Sequence, residues 1–131
     1  MSRFQKRAKQ FWKSFRELVK QSPLSRGSLL ASFLIFIVTL FLPIWRIMPL
    51  AKEQPFIPLH YNVYFGVDRF GPWYYAFVIP SLGLLFVIIS AVMQTYFFQR
   101  ERMLTQFFAW STLFLELIFF LAMVLLILLN I

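Results

Sequence analysis

The chain has 131 residues, of which 60% are hydrophobic, 21% are aromatic and only 14% are charged. Globular proteins average roughly 45–50% apolar and about 25% charged residues, and a small domain cannot bury so large an apolar excess. The composition therefore excludes an ordinary water-soluble domain. The net charge of +8 leaves membrane orientation, anionic lipid and nucleic acid as candidate roles for the basic residues.

The basic residues are concentrated at the N-terminus. Residues 1–27 contain eight of the thirteen Lys and Arg and one acid, Glu17, so this segment carries +7 of the net +8. Apolar side chains recur here at three- and four-residue spacing, with most cations between them, which predicts an amphipathic helix that ends before Pro23. The apolar positions are Phe4, Ala8, Phe11, Trp12, Phe15, Leu18 and Val19.

A basic helix with aromatic residues on one side is typical of a helix that lies among lipid headgroups. The cations that we expect to contact anionic lipid are Arg3, Lys6, Arg7, Lys9, Lys13, Arg16 and Lys20. The alternative is a solvated tail that only orients the protein. We expect no nucleic acid as a partner, because the neighbouring membrane span already accounts for the charge.

Three long apolar segments follow, at about 29–50, 73–98 and 107–131. Each is longer than the roughly 20 residues that cross the hydrocarbon core of a bilayer. We therefore predict an all-α membrane protein, with an N-terminal amphipathic interfacial helix in residues 1–27 and a three-span membrane domain in residues 28–131. No small-x-small cleavage site follows the first apolar segment, so we expect this segment to remain as an anchor.

The distribution of cations predicts the topology. The N-terminal cluster and the Arg100-Glu101-Arg102 turn lie on one side of the membrane, and the 51–72 loop lies on the other. Because the more basic side of a membrane protein stays inside, we expect a multi-pass protein of the cell membrane with a cytoplasmic N-terminus and an extracytoplasmic C-terminus.

The outer loop, residues 51–72, is rich in proline, glycine and aromatic residues, which is unlike a flexible polar tether. We predict an ordered loop with an extended strand over Leu59–Phe65. Gly66 and Gly71 are expected to supply turns around Asp68-Arg69. The strand would place His60, Asn62 and Tyr64 on one side.

The loop carries a resemblance to a known family. The run Ile57-Pro58-Leu59-His60-Tyr61-Asn62, followed by Asp68 and Gly71, resembles the signature of a small bacterial membrane domain of unknown function. That domain also forms the N-terminal part of the immunity proteins against the sporulation-delaying toxin. The resemblance implies a bacterial inner-membrane protein with this motif on the outer side, between the first and second spans.

The chain departs from the family pattern in two places. Phe65 stands where the family usually has a Gly, and Pro72-Trp73 replaces the Ser-Lys that follows the last Gly. The immunity proteins also carry further helices. We therefore treat a toxin-immunity-like role as an alternative function.

His60, Asn62, Asp68 and Arg69 are the candidate recognition residues of the outer loop. Such a polar cluster could bind a peptide or an ion. The alternative is that Asp68 caps a turn and pairs with Arg69 or His60 to fix the loop. One His and one Asp are too few for a metal site, so we expect neither a metal nor another cofactor.

Glu116 is the only charged residue in the third apolar segment and lies near the predicted bilayer midplane. An isolated charge there costs about 3 kcal/mol on insertion scales, so the carboxyl should be protonated or paired and should face other helices. Thr39, Ser81, Gly83 and Ser90 are expected at similar depth. A hydrogen bond from this group to Glu116 is the simpler interpretation, and a proton relay is the alternative.

The sequence has neither a phosphate-binding glycine loop nor a cysteine, and it shows no nucleophile–base pair. We therefore expect no enzyme. The preferred function is an interaction or accessory module that binds a partner membrane protein, lipid or peptide through the outer loop. Such a module would associate with itself or with a partner. The alternative is a small oligomeric transporter or channel that uses Glu116.

Overall fold

The computed structural model describes residues 2–62 and 66–130, and the side chains at 60–62 and 66–69 lie outside the described part. The elements are helix α1 (Arg3–Gln21), helix α2 (Pro23–Leu50), strand β1 (Phe56–Asn62), strand β2 (Gly66–Pro72), a 3₁₀ turn (Trp73–Phe77), helix α3 (Val78–Phe97) and helix α4 (Arg102–Leu129). Within the described residues, three helical segments are long and apolar enough to cross a membrane: Pro23–Leu50, Trp73–Phe97 and Arg102–Leu129. The predicted all-α membrane fold class is confirmed, and a short hairpin is added to it.

The N-terminal helix begins with a capping box. The Ser2 hydroxyl accepts a hydrogen bond from the Gln5 amide at 3.2 Å, and the Gln5 side chain accepts one from the Ser2 amide at 3.0 Å. At the other end, the Ser22 amide donates to the Leu18 carbonyl, while the Ser22 hydroxyl accepts from the Ser25 amide. Ser22 thus ends α1 and caps α2, and Pro23 occupies the first helical position, where its missing N–H costs nothing.

Two spans begin earlier than the sequence predicted. Helix α2 begins at Pro23 rather than at residue 29, and α4 begins at Arg102 rather than at residue 107. The sequence boundaries followed hydropathy, which falls at the first polar residues. Backbone hydrogen bonding does not stop there, so the helices continue into their polar ends.

Each long helix buries one narrow stripe of residues. Along α2 the buried positions are Ser25, Ser28, Ser32, Phe36, Thr39, Pro43 and Ile47. Steps of three and four residues keep these positions on one side of the helix. Large apolar side chains such as Phe41 and Leu121 are exposed instead. Polar groups inside and apolar groups outside are the arrangement expected when lipid is the solvent.

The residues form two compact units, and each of α2, α3 and α4 contributes to both. The first unit comprises the chain up to Phe33 and Leu85–Phe114. Here the Ser28 hydroxyl of α2 donates to the Ala109 carbonyl of α4 at 2.7 Å. A hydroxyl that bonds a neighbouring helix in this way contributes to packing within an apolar surrounding.

Helices α3 and α4 are also joined in the first unit. Within α3, the Gln94 side-chain amide donates to the Ser90 hydroxyl at 2.8 Å. The Ser90 hydroxyl in turn donates to the Phe108 carbonyl of α4 at 3.4 Å. The rings of Phe97 and Phe108 stack nearly parallel, with centroids 6.1 Å apart. Polar and aromatic contacts therefore both hold α4 to α3 here.

The second unit comprises Leu34–Leu84 and the residues from Leu115 onward. It contains an apolar core to which α2, β1, the 3₁₀ turn and α4 all contribute. The buried core residues are Ile47, Ile57, Ala76, Met123, Leu126 and Ile127. The hairpin is therefore packed against helix ends, which a two-stranded sheet needs because it is marginally stable alone.

The hairpin itself is antiparallel. Phe56 lies opposite Pro72 and Asn62 opposite Gly66, with an irregular register between Pro58 and Tyr61. The ordered loop was predicted, but the turns expected around Asp68-Arg69 are wrong, because this stretch is strand β2. Pairing with β1 gives its backbone N–H and C=O groups partners, and this requirement overrides the low strand propensity of Gly, Pro and Asp.

Candidate functional site

Within the second unit, one face of the hairpin packs against the helices. Ile57 is fully buried, and Gly71 lies opposite it in the register. A Cβ on Gly71 would lie 2.5 Å from Leu59 Cδ1 and 3.0 Å from Cδ2 of the Tyr75 ring. Glycine at this position therefore lets β2 approach these side chains closely.

Polar contacts secure the same attachment. The Asn130 side-chain amide donates to the Pro58 carbonyl at 3.1 Å and to the Leu126 carbonyl at 2.8 Å. The Trp73 amide donates to the Pro55 carbonyl at 3.0 Å. Asn130 did not figure in the sequence predictions, although it is the only strongly polar residue in the last thirteen positions.

The other face of the hairpin is exposed and aromatic. Phe56 and Phe70 are each 63% exposed. Phe56 lies opposite Pro72, and Phe70 lies opposite Pro58. Because side chains alternate along a strand, these positions share the face that turns away from Ile57 and Gly71. We name Phe56 and Phe70 the aromatic pair; sequence reasoning missed it because no local pattern distinguishes these rings from the other aromatic residues.

The predicted recognition residues lie further along the same strands. The backbone register places His60 opposite Arg69 and Asn62 opposite Gly66, and Asp68 belongs to β2. Their side chains lie outside the described residues, as does Tyr64. The polar cluster of His60, Asn62, Asp68 and Arg69 therefore stays a prediction, placed on two paired strands.

Glu116 is fully buried at the middle of α4. It is the fourteenth residue after Arg102 and the thirteenth before Leu129, which places it roughly 20 Å from either helix end at about 1.5 Å per residue. Neither carboxyl oxygen has a hydrogen-bond partner among the described residues. A Cβ on Gly83 of α3 would lie 3.0 Å from Oε2 and 3.4 Å from Oε1, so this glycine makes the space that the carboxyl occupies.

The hydrogen bond predicted for Glu116 is not formed by the residues proposed for it. The Thr39 hydroxyl donates to the Ile35 carbonyl, and the exposed Ser81 donates to the Phe77 carbonyl. Ser90 donates to Phe108 in the first unit. Thr39 and Ser81 satisfy their hydroxyls on the preceding turn of their own helix, which competes with bonds between helices. Of the predicted neighbours, Gly83 is the one that packs on the carboxyl.

The basic surface is formed by α1. All seven cations predicted to contact lipid are exposed, and Leu18 on the apolar side is fully buried. Phe4 and Trp12, which were predicted on the same apolar side, remain 79% and 58% exposed. Helix α1 thus uses part of its apolar side for packing in the first unit and presents the rest outward beside its cations.

Comparison with protein-family models, curated proteins and solved structures finds no match to this chain. Among the described residues, no three His, Asp or Glu side chains come together as a metal site would require. The candidate sites are therefore the hairpin, the Gly83–Glu116 contact and the basic helix α1.

Proposed function

We propose that the chain is an accessory membrane module whose hairpin binds a partner membrane protein. The observation that carries this proposal is the contrast between the two hairpin faces. One face is anchored by Ile57, Gly71 and Asn130, while the aromatic pair is exposed on the other. Aromatic side chains on a fixed backbone supply a large contact area with little loss of conformational entropy on binding.

We also propose a topology in which α1 lies at the cytoplasmic surface of a bacterial cell membrane and the hairpin lies outside. The concentration of +7 in residues 1–27 supports this orientation. The exposed Phe4 and Trp12 support contact between α1 and lipid, because aromatic rings beside cations suit the headgroup region.

The polar residues of the hairpin extend the same proposal. His60, Asn62, Asp68 and Arg69 would add specificity to the contact made by the aromatic pair, as hydrogen-bonding groups around an apolar anchor do. The resemblance to the toxin-immunity family supports this part of the proposal through the motif alone. In that alternative function, the partner would be a toxin and the chain would protect the cell that makes it.

Replacement of the aromatic pair tests the proposal. The chain and its Phe56→Ala/Phe70→Ala variant are purified from native membranes in mild detergent, with Phe41→Ala/Phe114→Ala as the control. Phe41 and Phe114 are similarly exposed, but they lie on helices. We expect the wild type and the control to carry a stoichiometric partner and the hairpin variant to lose it with an unchanged thermal melt. A partner retained by the hairpin variant would contradict the proposal.

A second candidate function is proton-coupled transport by an oligomer of the chain. The observation that favours it is Glu116, a buried carboxyl whose oxygens have no hydrogen-bond partner among the described residues. Intramembrane carboxyls of this kind often mark ion or proton paths.

Proton flux into liposomes separates this candidate from the first. We compare the wild type with Glu116→Gln, which keeps the shape but cannot ionise, and with Glu101→Gln, an exposed carboxyl in the turn before α4. A transporter predicts flux that is lost in Glu116→Gln and kept in Glu101→Gln. Equal flux in all three proteins would remove the relay.

A further inference from the structure

A cavity of about 860 Å³ lies between α1 and the last turns of α3, within the first unit. Its polar lining consists of Arg7, Gln10, Ser14, Thr95, Tyr96, Gln99 and Arg100. Phe11 and Val92 add an apolar wall. Ligand sites commonly have volumes of roughly 300–1,000 Å³ and combine apolar walls with a few placed polar groups.

The two arginines of the cavity come from different elements. Arg7 lies on α1, and Arg100 lies in the turn that follows α3. The Arg100 guanidinium carbon sits 4.2 Å from the centre of the Tyr96 ring. A cation–π contact of this kind leaves the guanidinium N–H donors available, so they can make a bidentate contact with an anion.

Glu17, the acid of α1, does not line the cavity, although it contacts a residue that does. Glu17 accepts a hydrogen bond from the Gln99 side chain at 3.2 Å, which also ties α1 to the turn after α3. Among the described residues, the lining of the cavity includes both arginines and no Asp or Glu. Two cationic groups therefore face an open space that no protein anion fills.

The position of the cavity identifies the kind of anion. Its α3 residues belong to the end of a segment long and apolar enough to cross a membrane, and its α1 residues belong to a basic amphipathic helix. Such a place lies at the level of lipid headgroups, where phosphates are concentrated and acyl chains begin. Arginine matches a phosphate with two parallel hydrogen bonds, and Phe11 and Val92 match the first carbons of the chains.

We propose that this cavity binds one anionic phospholipid, with its phosphate held between Arg7 and Arg100. The assignment goes beyond general attraction of α1 to lipid, because it selects one α1 cation and adds Arg100. It does not depend on what the hairpin recognises.

A matched pair of variants tests the site. Arg7→Gln/Arg100→Gln removes both arginines. The control, Arg26→Gln/Lys52→Gln, removes two exposed cations that neither line the cavity nor belong to the α1 cations expected to contact lipid. Binding of phosphatidylglycerol is measured by native mass spectrometry in detergent micelles doped with this lipid. We expect about tenfold weaker binding in Arg7→Gln/Arg100→Gln, since charge-assisted hydrogen bonds are lost, and less than a twofold change in the control variant.

A second pair of measurements keeps the test decisive if the glutamine variant folds poorly. Arg7→Lys/Arg100→Lys keeps the charge but loses the planar fork, and we expect severalfold weaker binding than in the wild type. Inorganic phosphate and glycerol 3-phosphate are added as soluble competitors. Equal losses in Arg7→Gln/Arg100→Gln and in the control variant, or displacement of the lipid by millimolar soluble phosphate, would overturn a lipid site.

Discussion

Among the described residues, Glu116 packs against Gly83 of α3, and its carboxyl has no hydrogen-bond partner. The carboxyl fills the space above Gly83, where a side chain would come within 3.0 Å of Oε2. From the sequence, Glu116 was correctly predicted to lie inside a long apolar helix, and Gly83 was expected at similar depth. The contact was not predicted, because the three hydroxyl groups that seemed suited to the carboxyl bond to main-chain carbonyls instead.

Substitution of Gly83 should therefore be costly. We expect Gly83→Val to reduce the free energy of unfolding by about 1–3 kcal/mol, because the added methyl groups must displace the carboxyl in a packed region. Gly27→Val is the control, since a Cβ on Gly27 has no neighbour within 4 Å. Thermal melts in detergent give the comparison.

A double variant tests whether competition with the Glu116 carboxyl causes the loss of stability in Gly83→Val. In the double variant Gly83→Val/Glu116→Ala, removal of the carboxyl should restore part of the lost stability, because the two side chains no longer compete for space. Strictly additive losses, or equal losses for Gly83→Val and Gly27→Val, would show that the contact does not limit this site.

At the scale of elements, the helices were easier to predict than the hairpin. Ser22-Pro23 ends one helix and begins the next through capping that is local in sequence, so the break was predicted correctly. The pairing of β1 with β2 depends on contacts that are not local. Ile57 and Gly71 become neighbours only when both strands pack on the helix ends. The residues around either position do not predict this pairing.

The buried stripe of each long helix is harder to predict from the sequence than a helix end and easier to predict than the hairpin. Hydropathy hardly distinguishes the faces of an apolar helix, since every side is rich in large apolar residues. Small polar residues nevertheless recur at intervals of seven, as Ser25, Ser32 and Thr39 do on α2, and all three are buried. Their spacing could have identified the packed side of α2 from the sequence, because such residues allow helices to approach closely in lipid.

The attachment of the hairpin by Asn130 gives a prediction at this scale. Asn130→Ala removes the hydrogen bond to the Pro58 carbonyl, and we expect a loss of about 1 kcal/mol. Amide hydrogen exchange should become faster in β1 and β2. Gln54→Ala, an exposed side chain before β1, is the control. Unchanged exchange in Asn130→Ala would mean that the Asn130 side chain does not hold the hairpin in place.

At the scale of the whole molecule, length, composition and charge alone predict a membrane protein. The described residues include three segments able to span a membrane and a capped basic helix that precedes them. The proposed function depends on which ends of these segments lie outside the cell. In the proposed role, the basic helix would contact lipid and the hairpin would contact a partner.

Cysteine labelling tests this topology most directly, and the natural chain contains no cysteine that would interfere. Gln54→Cys reports the side of the membrane on which the hairpin lies, and Gln21→Cys reports the side on which α1 lies. Both positions are exposed, and neither change removes a cation. Intact and lysed cells are treated with a membrane-impermeant maleimide. We predict labelling of Gln54→Cys in intact cells and of Gln21→Cys only after lysis. Labelling of Gln21→Cys in intact cells, with Gln54→Cys protected, would contradict the proposed orientation and the outer position of the hairpin.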